Sequence, residues 1–400
     1  MEKVRKYSSF LILLVVSLFP IIDYVWRRFK LPFSTIWDDV FLVLALLIAL
    51  IISFKKLKDL FNYPAFVFAL LFASVTFFSF TFNNYLFLAF LHQFRLFFEP
   101  FLIFIVIILL KPKKEEIRFY FKAVVLITMF LAIIGIYQYV NKVPTPVQWV
   151  DKELERSSIY TRAFSIVGSP NILAAYLEFG IGISLLFLFT EKKLLQKIYA
   201  VFAFLIIILG MLLTFSRGGW IASGSSILIG FLLFNPLVGG LIIIISGAIM
   251  TTIPILRLRL LSLIDPSYIQ KSIEGGRLFR WKYGILNASD HPLLGSGLGT
   301  FGGSAAQKYG YFVYTSMDSV YLNVFAETGW LGIITFALWV SFGAGRILNK
   351  FFEKKKLIYL FISITLFSIL IHMFVENIFN AWGIALNFWA LSAIGEVLNE

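Results

Sequence analysis

Long apolar stretches almost free of charge recur along the whole chain, and that pattern leaves few folds open. About twelve can be marked: 8–26, 36–54, 64–82, 92–110, 118–140, 172–190, 197–215, 220–234, 237–256, 321–345, 357–375 and 379–397. Most are roughly 17 to 25 residues long, the length that crosses a hydrocarbon core as helix. Inside a bilayer every backbone N–H and C=O must find its partner within the segment, and in chains of this kind helices satisfy that demand. The expected fold is therefore an all-α polytopic membrane protein of about 12 transmembrane helices, with residues 1–400 as a single integral membrane domain. The least regular pair is 220–234 and 237–256, where Asn235-Pro236 splits one apolar run and leaves the first part short. With 60% apolar residues, 14% charged residues and 46 Phe, a soluble domain is excluded. The N-terminus has the basic flank and apolar run of a signal peptide. It lacks a small-residue cleavage site and is expected to stay as the first span.

Lys and Arg in the short loops set the orientation. With the N-terminus inside, the inner segments hold Lys3, Arg5 and Lys6, then Lys55, Lys56 and Lys58, Lys111 to Arg118, Lys192 to Lys197, and Arg346 to Lys356. The short outer loops hold only Arg27, Arg28, Lys30 and Arg217. Both termini are thus expected in the cytoplasm. The net charge of +13 is mostly this topology signal and implies membrane lipids, not nucleic acid, as the partner. Cysteine is absent, so disulfide and thiol chemistry are excluded.

Two outer loops are too long to be plain connections: 141–171 and the large loop 257–320. The second carries apolar residues throughout, and Leu278, Trp281, Ile285 and Ala288 recur at helical spacing. That spacing predicts an amphipathic helix at the interface, part of an outer cap of short helices. Three arginines stand on this side. Arg217 lies in the tight turn Ser216-Arg217-Gly218-Gly219, and Arg277 and Arg280 lie one helical turn apart, ahead of the glycine-rich run His291 to Gly299. Guanidiniums fork onto phosphate oxygens and are the least costly cations to desolvate, which suits a lipid-linked phosphate or diphosphate.

Four stretches carry a family resemblance: Arg162-Ala163-Phe164 through Ser169-Pro170-Asn171-Ile172-Leu173-Ala174; Thr214-Phe215-Ser216-Arg217-Gly218-Gly219-Trp220; Gly276-Arg277 and Trp281 running into His291-Pro292-Leu293-Leu294-Gly295, Gly297, Gly299 and Phe301; and Asp318-Ser319, nine residues, then Gly329-Trp330-Leu331-Gly332. With them the chain resembles the O-antigen ligase and polymerase superfamily of membrane glycosyltransferases. In the ligases the last motif begins with His followed by Asn, Ser or Gln; here Ser319 matches and Asp318 stands in the place of the His. The resemblance implies transfer of a glycan from undecaprenyl diphosphate to a hydroxyl acceptor at the periplasmic face of a bacterial inner (plasma) membrane. The donor is an undecaprenyl-diphosphate-linked glycan and the acceptor is lipid A-core, as in an O-antigen ligase. A polymerase that joins lipid-linked repeats shares the same motifs, and a lipid-linked glycan transporter without chemistry is the alternative of a different class. The resemblance also supports a single inverting displacement. No cofactor, metal or nucleotide donor is implied.

Arg217, Arg277 and Asp318 are the expected catalytic residues, the arginines on the diphosphate and Asp318 as acceptor of the hydroxyl proton. Asp318 has a second reading as the N-cap of the helix that starts at Val320. Arg162, Ser216, Arg280, Glu178 and Glu327 form the expected substrate-binding set. Arg162 could instead hold its loop, and Arg280, which has no counterpart in the family pattern, could face anionic lipid. Glu178 and Glu327 lie within spans and are expected either to line the acceptor cavity or to pair with loop arginines. His291 before Pro292 reads as turn chemistry, Arg95 with Glu99 as structural bracing, Asp38-Asp39 as helix-end residues, and Glu376 as a surface residue.

Overall fold

The computed structural model describes residues 2–150, 161–261, 263–311 and 317–398. The middle of the first long loop, 151–160, and residues 312–316 of the second lie outside the described residues. Every regular element described is helical: Glu2–Arg28 (α1), Trp37–Ser53 (α2), Pro64–Asn83 (α3), Phe87–Leu110 (α4), Lys114–Val140 (α5), Pro170–Thr190 (α6), Leu194–Leu213 (α7), Arg217–Phe234 (α8) and Pro236–Thr252 (α9) come first. Four short helices follow, Pro254–Leu261 (α10), Pro266–Glu274 (α11), Arg277–Asp290 (α12) and Gly303–Lys308 (α13). The chain ends with Val320–Lys354 (α14), Leu357–His372 (α15) and Trp382–Val397 (α16). The chain is a polytopic membrane protein.

All twelve apolar stretches become helix. Nine helices among the described residues are long and apolar enough to cross a membrane. The expected twelve falls to nine by that measure because α9 has 17 residues and α15 and α16 have 16 each, whereas α2 is prolonged by a 3-10 segment and counts as Trp37–Asn62. At about 1.5 Å per residue these are roughly 24–26 Å long, short of a full hydrocarbon core. Pro254 also divides the run 237–256, starting α10 where one span was expected.

Ion pairs tie the basic loops together at one end of the bundle. Lys113 meets Glu2 at 2.6 Å, Arg118 meets Glu191 at 2.6 Å, and Arg346 and Lys350 meet Glu396 at 3.2 and 3.1 Å. The first and last helices therefore share that end, and the short helices α10–α13 lie at the other. In the interior α6 is largely apolar, Glu178 apart, and almost wholly buried, packed by α5, α7, α8 and α15. Close approach depends on small residues. A Cβ at Gly182 would strike Thr365 of α15, and one at Gly210 would lie 2.7 Å from Ala132 of α5.

The glycine-rich run solves a backbone problem. α14 breaks at Gly329 (φ 62°, ψ −162°), which frees backbone groups in the middle of a span. Residues 292–297 satisfy them: Trp330 N–H donates to the Pro292 carbonyl (2.8 Å), Ser296 N–H to Ala326 (3.1 Å) and Gly297 N–H to Glu327 (2.9 Å). Gly295 and Gly297 hold φ of 68° and 113° there, and a Cβ at either would strike the α14 backbone or the Tyr85 ring.

Candidate active site

Four helices begin at one cavity on the short-helix side. Ser169 caps α6, accepting from Ile172 N–H, Ser216 caps α8, accepting from Gly219 N–H, and Ser319 caps α14, accepting from Leu322 N–H. α12 starts there at Arg277, after Gly276. Hydroxyls satisfy one orphan N–H each, and the remaining N–H groups leave the positive end of each helix dipole at the cavity. The capping of α14 by Ser319 displaces the cap expected at Asp318. Asp318 is one residue earlier, at φ 49°, a left-handed conformation that Asp adopts more readily than most residues.

The cavity has a volume of about 710 Å³. Its wall brings together Arg162, Arg217, Arg259, Lys271, Arg277 and Arg280, with Asp318, Glu376, His372 and Asn171. Six cations thus face two carboxylates. They come from distant parts of the sequence, and they do different jobs.

Arg162 and Arg259 hold the backbone. The carbonyls of Thr214 and Phe215, just past the end of α7, are taken by these two side chains. Arg162 Nε donates to Thr214 O at 2.9 Å; Arg259 Nε and Nη2 donate to Phe215 O at 3.4 and 3.3 Å. Ala163 N–H adds a bond to Leu213 O (2.8 Å), and Trp220 Nε1 one to Met211 O (3.0 Å). Arg162 also reaches Asn171 Oδ1 at 3.1 Å. The turn is over-determined, which keeps buried Phe215 at φ 51°, a region costly for a bulky residue. Of the two expectations for Arg162, its bonds are those of a loop-holding residue, and Arg259 does the same work unforeseen.

The turn presents Arg217, half-buried, with its guanidinium 4.3 Å from the centre of the Tyr268 ring of α11. From the opposite wall α12 presents Arg277 and Arg280. The buried face of α12 runs through Gly284 and Ala288, whereas Leu278 and Ile285 are exposed. The helix therefore packs on α14 by its small residues and aims its arginines at the cavity, not its apolar stripe at the core. A Cβ at Gly284 would lie within contact of Met317.

Asp318 is bound by both arginines. Arg280 Nη2 makes a hydrogen-bonded ion pair with Asp318 Oδ2, and Arg277 Nε lies 3.6 Å from the same oxygen. Arg277 Nη2 is also 3.6 Å from Glu376 Oε2, and Asn171 Nδ2 donates to that oxygen at 2.5 Å. Glu376, expected on the surface, is buried. Burial, with the Asp318 carboxylate beside it, pushes its pKa above the usual carboxylate range, against the pull of Arg277.

Of the remaining expected residues only Ser216 is in the cavity wall, as a helix cap. Glu178 is buried under it, its Oε1 2.7 Å from His372 Nδ1. Glu327 is outside the cavity wall and accepts from Phe301 N–H at 3.0 Å, so it braces the glycine run. Asp39 pairs with Arg95 at 2.6 Å in a different cavity, and among the described residues no three His, Asp or Glu side chains gather as a cation-binding group. His372, Glu376 and Arg259 were not foreseen. The signal for His372 was available in principle, an ionisable residue closing an apolar span.

Fold and cavity together define a multi-pass membrane protein with a cationic, water-accessible site at one end of its helix bundle. A family model described as O-antigen ligase matches residues 202–337, from within α7 through the short helices to within α14. Over that stretch, about a third of the chain, the protein is similar to the O-antigen ligases. No curated protein matches the chain.

Proposed function

We propose that the cavity receives the diphosphate of an undecaprenyl-diphosphate-linked glycan at the periplasmic face of the inner membrane, and that the protein transfers the glycan to a hydroxyl acceptor, lipid A-core. The observation that carries this reading is the excess of guanidiniums over carboxylates where four helix N-termini meet. A diphosphate brings further negative charge and non-bridging oxygens to a wall where cations outnumber carboxylates. As the bond to the anomeric carbon breaks, charge grows on the departing diphosphate, and cations fixed in advance stabilise it without reorganising. Arg217, Arg277 and Arg280 take that role, and Lys271 adds charge beside them. Asp318, bound to two of them, orients their forks. To act as a proton acceptor it would first have to give up Arg280.

The polymerase reading differs only in the acceptor, a second lipid-linked glycan. Purified protein is to be given lipid-linked glycan with lipid A-core or with a second lipid-linked glycan. Transfer to lipid A-core is the expected result; elongation alone would make the protein a polymerase, and movement of the lipid-linked glycan across vesicles without transfer would make it a transporter. Activity should persist in excess EDTA. Loss restored by magnesium or manganese would make Asp38 and Asp39 ligands of a divalent metal that stabilises the charge in place of the arginines. The orientation is tested in this cysteine-free chain with Ser267→Cys and Ser304→Cys, both at exposed positions. Ser272, on the same loop, is buried and unsuited. An impermeant thiol reagent should label both in intact cells; labelling only after the inner membrane is breached would reverse the topology.

A further inference from the structure

We propose that His372, held by Glu178, accepts the proton of the attacking hydroxyl; this rests on the glycan-transfer reading above. His372 closes α15, and its ring is fully buried yet forms part of the cavity wall. Nδ1 lies 2.7 Å from Glu178 Oε1 on α6, and neither side chain has exposed surface. Nε2 has no hydrogen-bond partner. A buried nitrogen left in that state needs an explanation. A brace between α6 and α15 accounts for Nδ1 and leaves Nε2 without a use.

The ring is placed beside the turn that carries Arg217. A Cβ at Gly218 would lie 3.2 Å from Nε2, and one at Gly219 would lie 3.5 Å from Cε1. Glycine at both positions lets the imidazole approach the first turn of α8. The three helices concerned, α6, α8 and α15, pack directly on one another. The geometry therefore combines a carboxylate-oriented imidazole, an unused ring nitrogen and a guanidinium cluster in one cavity. A carboxylate that fixes an imidazole's tautomer and offsets its charge is a recurrent way to build a base.

In the working tautomer Nδ1–H donates to the Glu178 carboxylate and Nε2 carries the lone pair. The acceptor O–H bond breaks and its proton passes to Nε2. The oxygen's electron pair forms the new bond to the anomeric carbon. The bond from that carbon to the diphosphate oxygen breaks, and its pair leaves on the diphosphate among the guanidiniums. Glu178 offsets the imidazolium charge, and no further reactant is needed. Glu178 acts through His372 and is a positioning residue.

The test compares His372→Ala, Glu178→Gln and Asp318→Asn with wild type in a purified transfer assay. His372→Ala should lose on the order of 10²–10⁴-fold in kcat with little change in donor KM, and added imidazole should restore part of the rate. Glu178→Gln should lose less and shift the pH–rate profile, a response that a mere brace would not give. Should His372→Ala fail to fold, the chain's three histidines permit a second route. In His92→Gln/His291→Gln, carbethoxylation of His372, followed by mass spectrometry, should abolish transfer, and hydroxylamine should restore it. Transfer that survives the loss or carbethoxylation of His372 overturns the proposal while the glycan-transfer reading stands. A wild-type protein that transfers no lipid-linked glycan overturns both.

Discussion

Two cavities open at the same end of this bundle, and the larger one is the less suited to an anion. It has a volume of about 940 Å³, against about 710 Å³ for the arginine cavity. Its wall holds four carboxylates and five Lys or Arg residues, many already matched: Arg27 with Asp23 at 2.7 Å, and Arg95 with both Asp39 and Glu99 at 2.6 Å. In the smaller cavity six cations share two carboxylates, and two of those cations are spent on backbone carbonyls so that the others can be aimed. Volume reports where the helices splay. Unbalanced charge, held at helix N-termini by an over-determined turn, reports where an anion can be bound.

The comparison fails if the arginines of the smaller cavity can be exchanged without cost. Arg217→Lys and Arg277→Lys keep the charge and lose the fork, and each should slow transfer by about 10²–10³-fold in protein of unchanged thermal stability. Near wild-type rates in both would reduce them to membrane anchors. The glycine knot at Gly329 should respond in the opposite way. Gly297→Ala places a methyl against the Tyr85 ring at φ 113°, and should lower stability by about 1–3 kcal/mol, read as melting temperature, while the folded fraction keeps its rate. A large loss of rate at full stability would place the knot within the reaction. Asp318→Asn sharpens the contrast further. It loosens the hold on two guanidiniums and should cost on the order of tenfold in rate, equivalent to about 1.4 kcal/mol of lost transition-state contact. A collapse of the rate to the level of His372→Ala would instead make Asp318 the proton acceptor. The smallest effect belongs to the larger cavity. Arg95→Gln breaks half-exposed ion pairs worth at most about 1 kcal/mol and should change transfer less than about fivefold. A loss matching that of Arg217→Lys would erase the distinction between the two cavities.

Much of this was legible in the sequence because the bilayer restricts the backbone so strongly. Apolar runs of near-bilayer length gave the helices. Motif spacing singled out Arg217, Arg277 and Asp318, which the fold brings into one cavity. The misreadings share a cause. Asp318 and Ser319 are both good caps, and only the backbone conformation decides that Ser319 fills the role. Of the stripe Leu278, Trp281, Ile285 and Ala288, only the tertiary contacts decide that Ala288 joins Gly284 in packing α12 while Leu278 and Ile285 stay exposed. Glu376 reads as a helix-end surface residue until Arg277 and Asn171 are found against it.

The sequence by itself determined that this chain is a helical membrane protein with arginines set in the turn at Arg217 and in the long loop 257–320, because hydrophobic length and charge are properties of local composition. The tertiary structure decided which cations serve the backbone and which face the cavity, and it alone joined Glu178 to His372 across 194 residues. Such pairings depend on which helices pack together and in what register. Close packing settles that choice, and no single segment records it.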